Sequence, residues 1–210
     1  MRRLMMPFSA HDLLWVDEIT LEGNESPNWY ASHNQSLPVV VRRASRQTLI
    51  PVGVRGKNRS ERLAAWACKS SVVKSVSPRE LVQSEHARAY WHSSELVAFQ
   101  TLTDVDAICQ AYGIEWGVTG SLGYELATGM PCAHEDSDID MTVYLSEPVP
   151  VETLTSLSDQ LDKLACRVDT QIETPFGAVA LREWVLGRGE SNVLIKTDEG
   201  PLLTDNPWAR

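Results

Sequence analysis

The chain has 210 residues, 43% of them hydrophobic and 22% charged, the balance of a globular protein of one or two domains. No apolar run reaches the ~18 residues of a membrane-spanning helix, so no membrane partner is expected. The net charge of −9 is unevenly divided: residues 1–80 carry 12 Lys and Arg against 7 Asp and Glu, and residues 81–210 carry 7 against 21. From Val40 to Arg79 ten basic side chains face only Glu61, which suggests two surfaces with different partners. Four scattered cysteines without a CxxC pair suit reduced thiols and a cytoplasmic location. The opening "MRRLMMPFSAHDLLWV" lacks a sustained apolar stretch and a small-residue cleavage site, so it reads as mature protein.

In chain order, the first part reads as short strands and turns. "LPVVVRR" (37–43) and "TLIPVGVRG" (48–56) are β-branched runs, the second bounded by Gly56. "SERLAAWAC" (60–68) has Leu63, Ala64 and Ala67 at helical spacing behind Ser60, which predicts a short helix. "SPREL" (77–81) is a helix start, with Ser77 as cap, Pro78 in the first turn and Glu80 at the third helical position. Helical pattern then continues to Tyr112, with Thr103 as a second cap. The boundary is placed near residue 80: a basic N-terminal domain, 1–80, and a second domain, 81–210.

That second domain alternates. A strand, 114–120, ends in glycine and is followed by a helix, 121–129. Next come a loop with Pro131, a strand, 137–145, and a helix, 151–165, whose Leu154, Leu157, Leu161 and Leu164 share a face. A strand, 166–174, a helix, 179–186, and a last strand, 192–197, complete the series. This is an α/β pattern, a sheet covered by helices.

"SDIDMTVYL" carries acids at alternate positions. In a strand, Ile139, Met141, Val143 and Leu145 point into the core, while Asp138, Asp140 and Thr142 point the other way. Two carboxylates ~7 Å apart on one face repel unless a cation lies between them, and a hard divalent ion such as Mg²⁺ removes the conflict. The plain alternative is an edge strand whose acids keep it soluble. A calcium loop from Asp136 to Glu147 fails for want of glycine at position 141. Cys132, His134 and Asp136 are zinc-ligand types at a spacing that fits no closed zinc site. Upstream, "VTGSLG" is a strand–Gly–Ser–helix turn, whose free N–H groups can face a phosphate. A phosphate cradle beside a two-acid strand points to phosphoryl or nucleotidyl transfer.

On these residues the chain resembles the polymerase-β-type nucleotidyltransferase superfamily. Gly120 and Ser121 match its turn, Asp138 and Asp140 its acid pair, and Asp169 in "CRVDTQIET" its third acid. "HDLLWV", "VVVRRA", "IPVGVRG", "VTGSLGYELATG", "DSDIDM" and "VDTQIETPFGAVALREW" more closely resemble the malonate decarboxylase holo-[acyl-carrier-protein] synthases, the phosphoribosyl-dephospho-CoA transferases. The resemblance implies a nucleotidyltransferase core with a mixed sheet behind a small basic N-terminal domain. It also implies Mg²⁺-dependent transfer from triphosphoribosyl-dephospho-CoA to a serine of the apo acyl-carrier subunit of malonate decarboxylase, with release of pyrophosphate. Asp138, Asp140 and Asp169 would be the catalytic and metal residues, Asp169 as ligand or as base, and Gly120 and Ser121 would hold the triphosphate. Arg43, Arg59, Arg188 and Lys196 are the candidate phosphate or carrier contacts. Two other readings stand beside this one: a nucleotidyltransferase acting on another small molecule or protein, and a nucleic-acid-binding module using residues 40–79. Few aromatics in that stretch and an acidic remainder count against nucleic acid. A homodimer is left open.

Overall fold

The computed structural model describes residues 8–23, 26–32, 36–45, 48–56 and 60–209. It divides into two compact units, Met1–Ser77 and Pro78–Arg210. Together they are a mixed α/β protein with two six-stranded sheets and, among the described residues, six α-helices.

The first unit is a sheet of β1 (Leu13–Val16), β2 (Ile19–Leu21), β3 (Val39–Val41), β4 (Leu49–Arg55), β5 (Arg62–Cys68) and β6 (Val72–Val76). Its spatial order is β2-β5-β4-β3-β1-β6, and every pairing is antiparallel. One face buries Leu14, Val39, Val41, Ile50, Val52, Val54, Ala65 and Ala67 as a core. The helix expected at 60–68 is β5, paired residue for residue with β4 from Leu49↔Cys68 to Arg55↔Arg62. Alanine favours helices locally, but here Ala65 and Ala67 are the small inward positions of a period-2 strand, and pairing with β4 and β2 overrides propensity.

The second unit opens with α1 (Pro78–Gln83), α2 (Glu85–Ser93) and α3 (Val97–Tyr112). The helix start at Pro78 follows the sequence reading. Thr103 lies inside α3 instead of capping it; Ser84 caps α2, accepting from the Ala87 N–H at 3.4 Å, and Gly113 ends α3 at φ 63°. Then follow β7 (Trp116–Val118), α4 (Gly120–Thr128), β8 (Ile139–Tyr144), α5 (Val151–Leu161), β9 (Val168–Thr174), β10 (Gly177–Ala180), α6 (Leu181–Leu186), β11 (Val193–Thr197) and β12 (Gly200–Thr204). The run expected as one helix over 179–186 is divided: β10 ends at Ala180 and α6 starts at Leu181. Strand β12 had no counterpart in the sequence reading.

The sheet order is β12-β11-β10-β9-β8-β7, mixed, with β8 and β9 parallel and the other pairs antiparallel. The parallel pair is joined through α5, as parallel strands require a crossover. Directly paired residues share a face, so Asp140, Asp169, Gln171, Glu173 and Lys196 lie on one side. Ile139, Met141, Val143, Ile172, Val179 and Ile195 lie on the other and are at most 2% exposed. Phe99, Leu102 and Val105 of α3 and Leu154, Leu157 and Leu161 of α5 complete the core of this unit. Each such side chain stabilises the fold by about 1.5–3 kcal/mol on burial, so this one-sided arrangement fixes which residues of β8 face outward.

Candidate functional site

Strand β8 is interior, between β7 and β9, so its acids are not the solubility device of an edge. The described chain converges on the end of the sheet where β8 and β9 begin. Strand β7 runs back to that end, and the Thr119 N–H donates to the Asp140 carbonyl at 2.8 Å, joined by the Thr119 hydroxyl at 3.2 Å. Gly120 follows at φ 65° and begins α4, with Ser121 half-buried behind it. A Cβ on Gly120 would lie 2.9 Å from Cβ and Cγ of Asp140, so glycine is required both by the left-handed backbone and by the carboxylate packed over it.

The parallel register sets Asp140 directly beside Asp169. Asp138 precedes β8, half-buried, and Asp136 is an exposed turn residue. The Arg167 guanidinium reaches both Asp169 oxygens at 2.8 Å. Its pKa is raised, first by that hydrogen bond and charge, then by Asp138 and Asp140, so all three acids act on one cation. The Cys166 thiol is also raised, chiefly by burial and secondarily by Asp138, and its Sγ donates to the Ser137 carbonyl at 3.2 Å.

A cavity of about 250 Å³ opens beside the pair. Asp140, Asp169, Thr170 and Lys196 line it, together with Ser158 and Asp162 at the end of α5 and Arg182 in the first turn of α6. Arg182 and Asp162 form an ion pair at 2.8 Å. The sequence reading missed Arg182 because it lay within a supposed uninterrupted helix; the break at Ala180 brings it to the acids.

Of the residues expected at the site, Asp140, Asp169 and Lys196 line one cavity, Gly120 contacts Asp140, and Ser121 and Asp138 adjoin them in the chain. Arg188 does not line it; it is exposed beyond α6 with a left-handed φ of 53°. Arg43 belongs to the first unit, half-buried after β3, and Arg59 lies outside the described residues, as do Arg46 and Lys57. Trp116 and Trp184, adjacent in sequence to the motifs, are core residues. Trp116 Nε1 donates to Asp106 at 3.1 Å, and Trp184 meets Trp208 edge-on at 5.5 Å.

Among the described residues no three His, Cys, Asp or Glu side chains come together as a complete metal cluster, neither Cys132, His134 and Asp136 nor the full set Asp138, Asp140 and Asp169. The donor set at Asp140 and Asp169 is all carboxylate oxygen, side by side, with Gly120 leaving room for one of them. That fits Mg²⁺, which commonly takes one or two carboxylates and fills its octahedron with water and substrate phosphate.

No solved structure matches the chain. Residues 9–78 match the family model described as the phosphoribosyl-dephospho-CoA transferase MdcG N-terminal domain, and residues 81–207 the corresponding C-terminal domain. Proteins named phosphoribosyl-dephospho-CoA transferase are similar along almost their whole length. That of Klebsiella pneumoniae subsp. pneumoniae is 38% identical over 95% of this chain and 96% of its own. That of Azotobacter vinelandii is 38% identical over 94% and 93%, and that of Pseudomonas aeruginosa 38% identical over 99% and 97%. With both family domains matched and this identity sustained from end to end, the chain belongs to the phosphoribosyl-dephospho-CoA transferase family.

Proposed function

We propose that the protein transfers the phosphoribosyl-dephospho-CoA group from triphosphoribosyl-dephospho-CoA to a serine of the apo acyl-carrier subunit of malonate decarboxylase. The serine Oγ–phosphorus bond forms as the bond from that phosphorus to pyrophosphate breaks, and the hydroxyl proton passes to a base. The observation that carries the reading is the Asp140–Asp169 pair, in register at the mouth of a cavity that also holds Lys196 and Arg182. The polymerase-β-type nucleotidyltransferase core is part of the same reading.

Asp140 and Asp169, with Asp138 at the start of the same acid row as the third expected ligand, would hold Mg²⁺, which when bound supplies positive charge to the reacting phosphate. The level shared by Asp140 and Asp169 favours the ligand role for Asp169 over the proton-accepting one. Gly120 and Ser121 position α4 so that its first N–H groups face the phosphates. Arg43 and Arg59 belong to the basic stretch that would dock an acidic carrier or grip the donor, and Arg188 stays a secondary contact. A cytoplasmic location fits the four free cysteines; among the described residues no helix is long and apolar enough to cross a membrane.

The test is to mix the protein with donor, Mg²⁺ and the apo carriers of malonate decarboxylase and of citrate lyase, then weigh the carriers. A gain of the prosthetic-group mass on the malonate decarboxylase carrier is expected, abolished by chelator. No gain on either carrier overturns the reading. Transfer from ordinary nucleoside triphosphates instead would favour a general nucleotidyltransferase.

A further inference from the structure

Strands β11 and β12 leave an apolar pair in water on the same face of the sheet as the acids. Leu194 and Leu203 are directly paired across the two strands and are 42% and 68% exposed. Lys196, two residues from Leu194, lies on the side of Asp140 and Asp169, so both leucines do too. Single exposed leucines are ordinary, but an adjacent pair on an otherwise polar face is the signal of a contact surface. The same face is closed on its other side. Gly117 pairs with Thr142, and a Cβ on Gly117 would lie 2.6 Å from Pro78. Arg79 stacks on Tyr144, 3.7 Å from the ring centre. Helix α1 thus covers β7 and β8 beyond Asp140. Among the described residues the face is open from β9 towards β12, where Asp169, Lys196 and Pro201 are exposed.

We propose that the Leu194–Leu203 patch docks the apo carrier protein that brings its serine to the Asp140–Asp169 pair, through apolar side chains next to that serine. This rests on the transfer reading above and adds to it where the acceptor sits. Counting from Ala178↔Lys196 brings Leu194 level with Ala180, which pairs with Gln171, two residues along β9 from Asp169. At ~4.8 Å between strands and ~3.3 Å per residue, Leu194 is about 12 Å and Leu203 about 16 Å from Asp169. A standard protein interface covers ~800 Å² on each partner, a disc about 16 Å in radius. With α1 occupying the β7 side, an acceptor protein whose serine reaches the pair spreads towards β12 and covers both leucines. A second copy of the chain fits this edge less well. Thr197 and Gly200 close a two-residue hairpin, so the next pair, Lys196↔Pro201, turns its backbone groups away from the neighbouring strand. Pro201 therefore stands on the open edge with no N–H to give, which blunts strand addition and leaves the face for binding.

Leu202 supplies the control. It pairs with buried Ile195 and so points to the opposite side of the sheet, yet it is 47% exposed. The experiment is calorimetric titration of the full-length protein with the apo carrier of malonate decarboxylase, without donor, and measurement of KM for carrier and for donor in the loading reaction. Leu194→Asp and Leu203→Asp should each weaken carrier binding about tenfold or more, as for a buried interface anchor, and raise KM for the carrier alone. Leu203→Met should keep most of the affinity, since it keeps the apolar volume. Leu202→Asp, on the same strand, should bind the carrier like wild type. Circular dichroism of each variant separates misfolding from loss of the surface. Equal effects at 202 and 203, no effect at 194 and 203, or a rise in KM for the donor in place of the carrier overturns the proposal. So does a wild-type dimer in sedimentation velocity that Leu203→Asp dissociates, which would make the patch an interface between copies. Loading is read separately by mass. A carrier that binds through Leu203 and is never loaded would sink the transfer reading and leave the docking surface standing; normal loading with unchanged KM in the Leu194 and Leu203 variants would do the reverse.

Discussion

The Asp140 carboxylate occupies the space that a side chain on residue 120 would fill. Gly120→Ala therefore carries two penalties. The left-handed backbone costs about 1–2 kcal/mol for a residue with a Cβ, and Asp140 must swing away from Asp169. Displacement of a catalytic group by about 1 Å can lower the rate ~100-fold, so transfer should fall by about that factor while the melting temperature drops a few degrees. Gly113→Ala is the control. Its φ of 63° imposes similar strain, yet nothing lies within 4 Å of the new Cβ. It should lose comparable stability and keep its rate. Equal rates for the two variants would mean that the Gly120–Asp140 contact does not matter to the reaction.

Asp138→Asn and Asp140→Asn should abolish transfer without lowering the melting temperature, because each removes repulsion from an acid-rich strand start. Mg²⁺ should raise the melting temperature of wild type, by mass action on the folded state, and the variants should lose most of that response. Differential scanning fluorimetry across a Mg²⁺ series measures both. A double variant that still loads the carrier near the wild-type rate would dismiss the acid-pair mechanism.

Arg167 competes with any ion for Asp169, and magnitude decides the contest. The pair is exposed, 68% for Arg167 and 48% for Asp169, and exposed pairs of this kind are weak. Removing that competitor, and a positive charge beside three carboxylates, should tighten Mg²⁺ binding measurably, by no more than a few-fold. Arg167→Gln, titrated calorimetrically with Mg²⁺ alone, tests this. Weaker binding in the variant would show that Arg167 supports the acids' arrangement instead of contesting it.

The acid row was legible because a strand has a period of two: burying Ile139, Met141 and Val143 leaves Asp138 and Asp140 together on the other side. Helix α5 was legible through its leucine stripe, and α1 through Ser77–Pro78. Two regions were not. Residues 60–68 spelled a helix locally, since alanine signals nothing about the strand pairing that claims 62–68. Residues 179–186 read as one short helix, and its break at Ala180 follows from pairing with Gln171 and from Gly177, where a side chain would strike the Lys196 carbonyl. Missing that break hid Arg182. The adjacency of Asp140 and Asp169 depends on register between strands separated by a helix, which local periodicity does not contain.

The final prediction concerns how Asp138 is delivered. Glu125 on α4 is 4% exposed and accepts three hydrogen bonds, from the Tyr90 hydroxyl at 2.7 Å, the Cys132 N–H at 2.5 Å and the Ala133 N–H at 2.7 Å. One carboxylate thus ties α2, the helix that follows the Gly–Ser turn, and the segment leading into the acids. The Tyr90 phenol is pushed up from 10.0 to about 12, first by its bond to Glu125, then by burial and by the Glu125 charge. A phenol whose folded pKa is raised stabilises the fold fully below its ordinary value, and that stabilisation is lost as pH rises toward the folded one. Wild type should therefore lose stability between about pH 10 and 12 through this group. Tyr90→Phe should flatten that part of the profile, and Glu125→Gln, which removes the charge while keeping one acceptor oxygen, should flatten it partly. Glu125→Ala should also weaken Mg²⁺ binding, because Cys132 and Ala133 lose the anchor that sets the path to Asp138. Melting temperatures from pH 9 to 12 for the three variants decide the matter. A Tyr90→Phe profile that falls as steeply as wild type would mean that the Tyr90–Glu125 bond does not hold this corner of the site.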